Sequence, residues 1–486
     1  MTINYFINRL LIVAAFLALA LPDDAAARTS DILPVQDDST GADAVCVNGF
    51  TIISSITVTG NKKTKEKIIL REVCFQAGDT IDAVLLPDYF VKSQNNLLKT
   101  SLFNYVTITP DYSVDGYTAV NINVEERWYF WPMVNITPHN GNLNQWLRNP
   151  DLDKVDYCFG ASKYNFRGRR ESLVFNFRRG FNNVSQIGFA DIAVDRQYRH
   201  LLALYATFQA QKDVILRTKD DKPEYHSFDE TAFYEKKLEL LYTFRQDINK
   251  SHILHFDYRK ISICDSLAMI NPAYLGNGLT TAKNFTISYI YKVDNRSSSY
   301  YPLTGAFYEF KVQETGLFCH SQAVFGFTAD VRQYYNPCGR FYCAGQAVVS
   351  EFTNNVPFYM RPSIGAKPNI IEGYEHNLVY GNGIAYMKTS YKFELIPTRV
   401  IHVRRINVPK FNKIHFAAYL NVFANCAFVE ENSYTDSLQN SLDNTFLGAI
   451  GVGLDLVTYY DKAFSVYATR NIQNEYYIGV GFRSFF

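Results

Sequence analysis

Glu475-Tyr476-Tyr477-Ile478-Gly479-Val480-Gly481-Phe482-Arg483-Ser484-Phe485-Phe486 is the stretch whose reading decides the fold. Successive side chains of a strand point to opposite faces. Tyr476, Ile478, Val480, Phe482 and Phe486 therefore share one face, and Gly479, Gly481 and Arg483 share the other. An apolar outer face with a small or polar inner face is the pattern of a membrane β-barrel strand. A closing aromatic such as Phe486 is also the ending that outer-membrane barrels present to their assembly machinery. A strand of a soluble sandwich is the alternative, and the other end of the chain argues against it.

Arg9 precedes an apolar run, Leu10 to Leu21, followed by Ala25-Ala26-Ala27. A short basic region, an apolar core and small residues at the cut define a secretory signal peptide, here residues 1–27. The run is shorter than the ~20 residues a spanning helix needs. Residues 28–48 read as a polar leader. An exported chain with no spanning helix and many alternating aromatics is best explained by an outer-membrane barrel.

Composition agrees. Among 486 residues there are 37 Phe and 35 Tyr, while only 20% are charged. A net charge of +1 gives no reason to expect nucleic acid as a partner. No nucleophile elbow, HExxH or phosphate loop is present, and the histidines lack ligand spacing, so neither an enzyme nor a cofactor or metal site is expected. The eight cysteines include no CxxC; Cys338 and Cys343 are close enough in sequence to pair in an oxidising compartment, which sequence alone leaves open.

Residues 49–127 have a different texture from the rest. Phe50 to Val58 alternates as a strand. Lys65 to Cys74 has helical spacing, with Thr64 as a plausible N-cap, and Leu85 to Leu102 is a second helix. Tyr105 to Thr109 and Thr118 to Val124 are strands. This order predicts one small α+β domain. From Trp128 to Phe486 the parity is that of a barrel. Met387, Tyr391, Phe393 and Leu395 oppose Lys388, Ser390, Lys392 and Glu394; Phe416, Leu420, Val422 and Phe428 oppose His415, Tyr419, Asn421 and Asn425. Thr218 to Asp229 and Glu430 to Asn444 read as loops. At ~20 residues per strand and turn, the segment holds about sixteen antiparallel strands. The fold class is an all-β transmembrane barrel preceded by one α+β domain.

The stretches "ITVTGNKKTKEKIILREVCFQAGDTI", "NNLLKTSLFNYVTI" and "VNINVEER" together resemble a POTRA domain. "NFRGRR" (Asn165 to Arg170), "VDNRSSSYYPLTGAFYEF", "ADVRQYY" (Ala329 to Tyr335), "IIEGYEHNLVYGNG" and "SYKFELIP" resemble, in order, the barrel motifs of the BamA/TamA-type outer-membrane insertases and their relatives in two-partner secretion. The resemblance covers nearly the whole chain after the leader. It implies a periplasmic POTRA domain that can lend a sheet edge to an extended client. It also implies a sixth loop that folds back into the lumen, carrying Ile371, Glu372, Gly373 and Tyr374.

Two positions depart from the family pattern together. Glu372 stands where the family has Arg, and Asn421 where it has the Asp that meets that Arg. Two facing carboxylates would push one pKa up, whereas Asn carries no charge and can donate to Glu372. Lys388 and Lys392, on the lumen face by parity, could balance the charge. The other reading is a solvated Glu372 and an incidental Asn421.

The first barrel strand, expected over Tyr129 to Thr137, contains Pro132. Proline cannot donate to a ladder. With Phe482 and Phe486 on the last strand it would mark a weak seam; a proline ahead of regular pairing is the alternative.

The resemblance implies a protein that assists insertion or translocation of polypeptides at the outer membrane through a lateral seam and lumen loop. The alternatives are a dedicated two-partner-type secretion pore and a passive or structural barrel that has lost activity. The partners implied are outer-membrane lipid, unfolded or partly folded polypeptide clients and accessory periplasmic proteins.

Overall fold

A computed structural model describes residues 49–114, 116–138, 150, 155–180, 182–317, 323–353, 356–366, 368–402, 413–431, 440–458 and 462–482. The signal peptide, the leader, Arg483 and Phe486 lie outside the described residues.

The N-terminal domain runs β1 (Phe50–Thr59), α1 (Glu66–Leu70), β2 (Thr80–Asp82), α2 (Leu86–Lys99), β3 (Phe103–Val114) and β4 (Tyr117–Glu126). Its sheet has the order β2-β1-β4-β3, with β1 parallel to β4. On β4, alternation sends Val120, Ile122 and Val124 inward, against Ile68 and Ile69 of α1 and Leu86 and Leu97 of α2. Helical spacing puts the inward residues of each helix on one stripe, so that face closes over the sheet. β2 is too short for alternation to reveal. α1 ends earlier than its apolar spacing suggests, and Thr64 does not cap it. Its N-cap position is Lys65, without a side-chain cap bond. The Thr64 hydroxyl donates instead to Glu126 Oε1 at 2.7 Å.

The remaining strands are β5 (Phe130–Pro138), β6 (Val155–Phe166), β7 (Glu171–Gly180), β8 (Asn182–Ala193), β9 (His200–Gln211), β10 (Asp213–Lys219), β11 (Lys222–Ser227), β12 (Phe233–Arg245) and β13 (Lys250–Ile263). After a short helix, α3 (Asp265–Ile270), come β14 (Thr281–Asp294), β15 (Gly305–Thr315), β16 (Val324–Cys338), β17 (Phe341–Phe352), β18 (Ser363–Ile364), β19 (Val379–Tyr380), β20 (Gly383–His402), β21 (Lys413–Glu430), β22 (Phe446–Thr458), β23 (Lys462–Asn471) and β24 (Tyr476–Phe482).

Sixteen of them form one sheet, a meander from β5 to β24 that skips only the β10–β11 and β18–β19 hairpins. The stretch 218–229, expected as loop, instead contains most of the β10–β11 hairpin. Its Val214 and Leu216 are buried against Leu267 of α3, Tyr274 and Phe358, which gives a polar-looking segment an apolar seat.

Alternation along the long strands separates two environments. Leu204, Phe208, Leu238, Leu254, Tyr391, Leu420, Val422, Val452 and Ile478 are exposed on the outside. Asp257, Asn284, Ser288, Gln346, Ser390, Lys392, Asn421 and Asp455 are buried on the inside. An apolar belt around a polar interior is stable only where lipid meets the outside. No described helix is long and apolar enough to cross a membrane.

The turns at 165–170, 195–199 and 246–249 lie at the end that meets the N-terminal domain. β10–β11, α3 and the loop from β17 to β20 lie at the other end.

Candidate functional site

The loop between β17 and β20 is seated inside the barrel. Ile371 and Tyr374 are buried in a cluster with Ile384, Ala427, Leu447 and Ala449. Gly373 has φ +98, and a Cβ there would stand 2.5 Å from Ala449 Cβ, so only glycine lets the backbone lie this close to β22. The Tyr374 hydroxyl accepts from Gly448 N at 3.0 Å and donates to Gln473 Oε1 at 2.7 Å. Asn471 Nδ2 donates to Gly373 O at 3.1 Å. The loop is thus fastened to β22 and to the β23–β24 turn.

Glu372 is buried beside two donors. Lys388 Nζ lies 3.1 Å from its Oε2 and also donates to Ile370 O at 2.7 Å. Asn425 Nδ2 donates to the same Oε2 at 3.0 Å. The expected Asn421 is not the partner. It lies four residues along the same inward face of β21, where Ser390 Oγ donates to its Oδ1 at 2.6 Å. Residues i and i+4 share a strand face, so parity alone could not choose between Asn421 and Asn425. Glu375, one turn on, accepts from the Tyr467 hydroxyl at 2.6 Å and from Gly373 N at 3.0 Å.

Lys392 does not join Glu372 either. Its ammonium sits 4.2 Å from the ring centroid of Tyr301, while the Tyr301 hydroxyl donates to Asp455 Oδ2 at 2.9 Å. Asp455 had no motif to draw attention to it, although it is an inward carboxylate by strand parity, and Tyr301 lies within the quoted VDNRSSSYYPLTGAFYEF stretch without having been singled out.

β5 and β24 stand at the two ends of the sheet order, and no register joins them among the described residues. They are nine and seven residues long, against 20 for β20. Pro132 is exposed within β5, opposite Ala161 of β6, rather than ahead of the strand. Phe482 is the last described residue of β24. Cys338 and Cys343 are free.

The joint between the domain and the barrel is a second cluster; its Asn165, Gly168 and Arg170 lie in the NFRGRR motif, but sequence reading did not pair them with the domain and did not single out Glu72 or Arg245. Glu72 receives both guanidinium nitrogens of Arg245, each at 2.9 Å, with Arg71 at 2.8 Å and Arg170 at 3.5 Å. Burial pushes the Glu72 carboxyl up, but Arg245, Arg170 and Arg71 outweigh it and hold it down to about 2. Alongside, Asn165 Nδ2 donates to Thr64 Oγ1 at 2.9 Å and Lys65 N to Gly168 O at 3.0 Å. Gly168 has φ +70, and a Cβ there would meet Lys63 O at 2.1 Å.

Inside the barrel, Glu239, His255 and Asp257 also converge. Lys237 Nζ already stands 2.7 Å from Glu239 and 3.3 Å from Asp257, so a cation is built into that cluster.

The POTRA family model, described as a surface antigen variable number repeat, matches residues 51–127. No curated protein matches by sequence. Among solved structures the chain is similar to BamA from Haemophilus ducreyi lacking POTRA domains 1–3, with 14% identity, 88% of this chain and 83% of that chain covered, and a TM-score of 0.50. It is similar also to CdiB from Escherichia coli, with 10% identity, 88% and 75% covered, and a TM-score of 0.53. The fold is therefore a POTRA domain followed by a barrel of the BamA/TamA type. The exposed apolar side chains outside the barrel and the buried polar ones inside it are the pattern of a membrane barrel.

Proposed function

We propose that the protein assists the insertion or translocation of polypeptides at the outer membrane, with unfolded or partly folded chains as clients. The observation that carries this reading is the seating of Ile371 to Tyr374 in the lumen, fastened to β22 and to the β23–β24 turn beside one end of the sheet. A loop so placed supports the wall next to the short β24 and couples the lumen to the seam. The docked POTRA domain supplies a sheet at the periplasmic rim that an extended client can join by strand addition. A passive channel needs an open lumen. Here the lumen loop packs inward against β20, β21 and β22, which disfavours that reading.

The test is depletion of the protein followed by quantitative proteomics of the outer membrane and of the exported fraction. Loss of several other barrels supports insertion, and loss of one exported protein supports a dedicated secretion pore. Unchanged levels of both, with altered small-solute permeability, would overturn the proposal in favour of a channel.

A further inference from the structure

The turn between β14 and β15, residues 295–304, does not stay at its own wall. Tyr301, at its tip, is buried against Ala417, Tyr419 and Ala463 on β21 and β23. β16, β17 and β20 separate β15 from β21 in the sheet, so the turn reaches across the periplasmic end of the lumen. The contact is specific. The Tyr301 hydroxyl donates to Asp455 Oδ2 at 2.9 Å, and its ring lies 5.2 Å from that of Tyr419. Lys392 Nζ, which has no hydrogen-bond partner among the described residues, faces the same ring at 4.2 Å. A buried ammonium met by an aromatic face is a cation–π contact.

The turn is built to hold this shape. Ser298 Oγ accepts from Tyr300 N and Tyr301 N at 3.2 and 3.3 Å, and Ser297 N donates to Thr304 O at 2.9 Å. Gly305 closes it at φ +99, where a Cβ would stand 2.2 Å from Asn295 O. Its root is tied to the POTRA domain, because Lys99 Nζ, at the end of α2, donates to Asp294 O at 2.7 Å. Arg296 locks that root by a two-pronged pair with Asp294 at 2.9 and 2.8 Å.

We propose that residues 295–304 are an inner plug, latched by Tyr301 on Asp455 and Lys392, which closes the lumen from the periplasm and is held at its root by Lys99 of the POTRA domain. The outer end carries its own cover, the β10–β11 hairpin. There the Asp221 carboxylate accepts from Ser441 N and Leu442 N, both at 3.0 Å. The two closures share no residue, so the inner one can release alone. This inference concerns access to the lumen and stands whether or not the client is a polypeptide.

The experiment uses the full chain in nanodiscs, with the native cysteines replaced by serine and one cysteine placed at Ser390. Ser390 faces the lumen on β20, between Lys388 and Lys392, and is buried. The readout is its rate of labelling by a bulky maleimide. Tyr301→Ala should raise the rate by roughly tenfold to a hundredfold, the population shift expected on losing a hydrogen bond to a charged group. Tyr301→Phe keeps the ring and should raise it less, and Lys99→Met should raise it although it touches nothing in the lumen. Heat-dependent gel migration establishes that each variant is folded. If Tyr301→Ala does not fold, Tyr301→Phe and Lys99→Met carry the test. Parental labelling rates in the folded variants would overturn the proposal.

Discussion

Glu72→Ala takes one carboxylate away from three guanidinium groups. In the intact protein Glu72 is 3% exposed, and Arg71 and Arg245 beside it are 12% and 14% exposed. Removing it leaves Arg71, Arg170 and Arg245 crowded together without the carboxylate that all three face, while Asp191 and Asp247 act on Arg245 only from farther off. Truncating one member of such a buried pair costs ~3–5 kcal/mol. A second estimate comes from how strongly the arginines hold the carboxyl in its charged form. The carboxyl is held from its usual 4.5 down to about 2, a preference for the charged form of about 3 kcal/mol. The two agree, so the POTRA domain should lose most of its hold on the barrel rim. The folded pKa is depressed, so the stabilisation is present above about pH 4.5 and is lost as pH falls toward 2. The assay is the distance distribution between spin labels at the exposed positions Lys92 on α2 and Lys250 on β13, in a chain with its native cysteines replaced. The parent should give one narrow distance at pH 7 that broadens as pH approaches 2. Glu72→Ala should be broad at pH 7 already, and Glu72→Gln should fall between. A narrow, parental distribution for Glu72→Ala at pH 7 would show that the three arginines do not hold the domain, and the electrostatic account of the joint would fail.

Lys388→Glu or Glu372→Arg alone should loosen the lumen loop, and the double change should restore its protease resistance, because it rebuilds the 3.1 Å pair in reverse. Asn421→Asp combined with Glu372→Arg should show no such rescue, since Asn421 touches Ser390 and Asp455 instead. Gly168→Ala should weaken the joint as Glu72→Ala does, by forcing a Cβ onto Lys63 O at a left-handed position; the same spin-label pair reads it. Deleting Phe486 should abolish appearance of the heat-modifiable barrel in the outer membrane, and normal yield would refute the sequence reading of that residue.

The sheet was legible because period-two alternation survives along most of the length of its strands, broken only at bulges such as those of β20 beyond Glu394. Lys388, Ser390 and Lys392 lie inside and Tyr391 outside, as parity requires. The lumen loop was legible in part. Glu372 and Lys388 do meet, but the amide partner was displaced by one repeat, from Asn421 to Asn425. Parity fixes a face and leaves height along the strand undetermined. Thr218 to Asp229 was misread as loop because it is mostly polar, and the Val214 and Leu216 that seat the β10–β11 hairpin lie ahead of it.

The sequence by itself determined the barrel, its strand faces and the single α+β domain ahead of it, because these depend on local period and short-range motifs. Only the tertiary structure decided which inward groups meet. Glu72 finds Arg245 from 173 residues away, and Tyr301 finds Asp455 from 154. Such pairings depend on curvature of the sheet, the height of each residue and the docking of a separate domain. No local pattern encodes them, because each partner alone is an ordinary polar residue on an inward or rim-facing position.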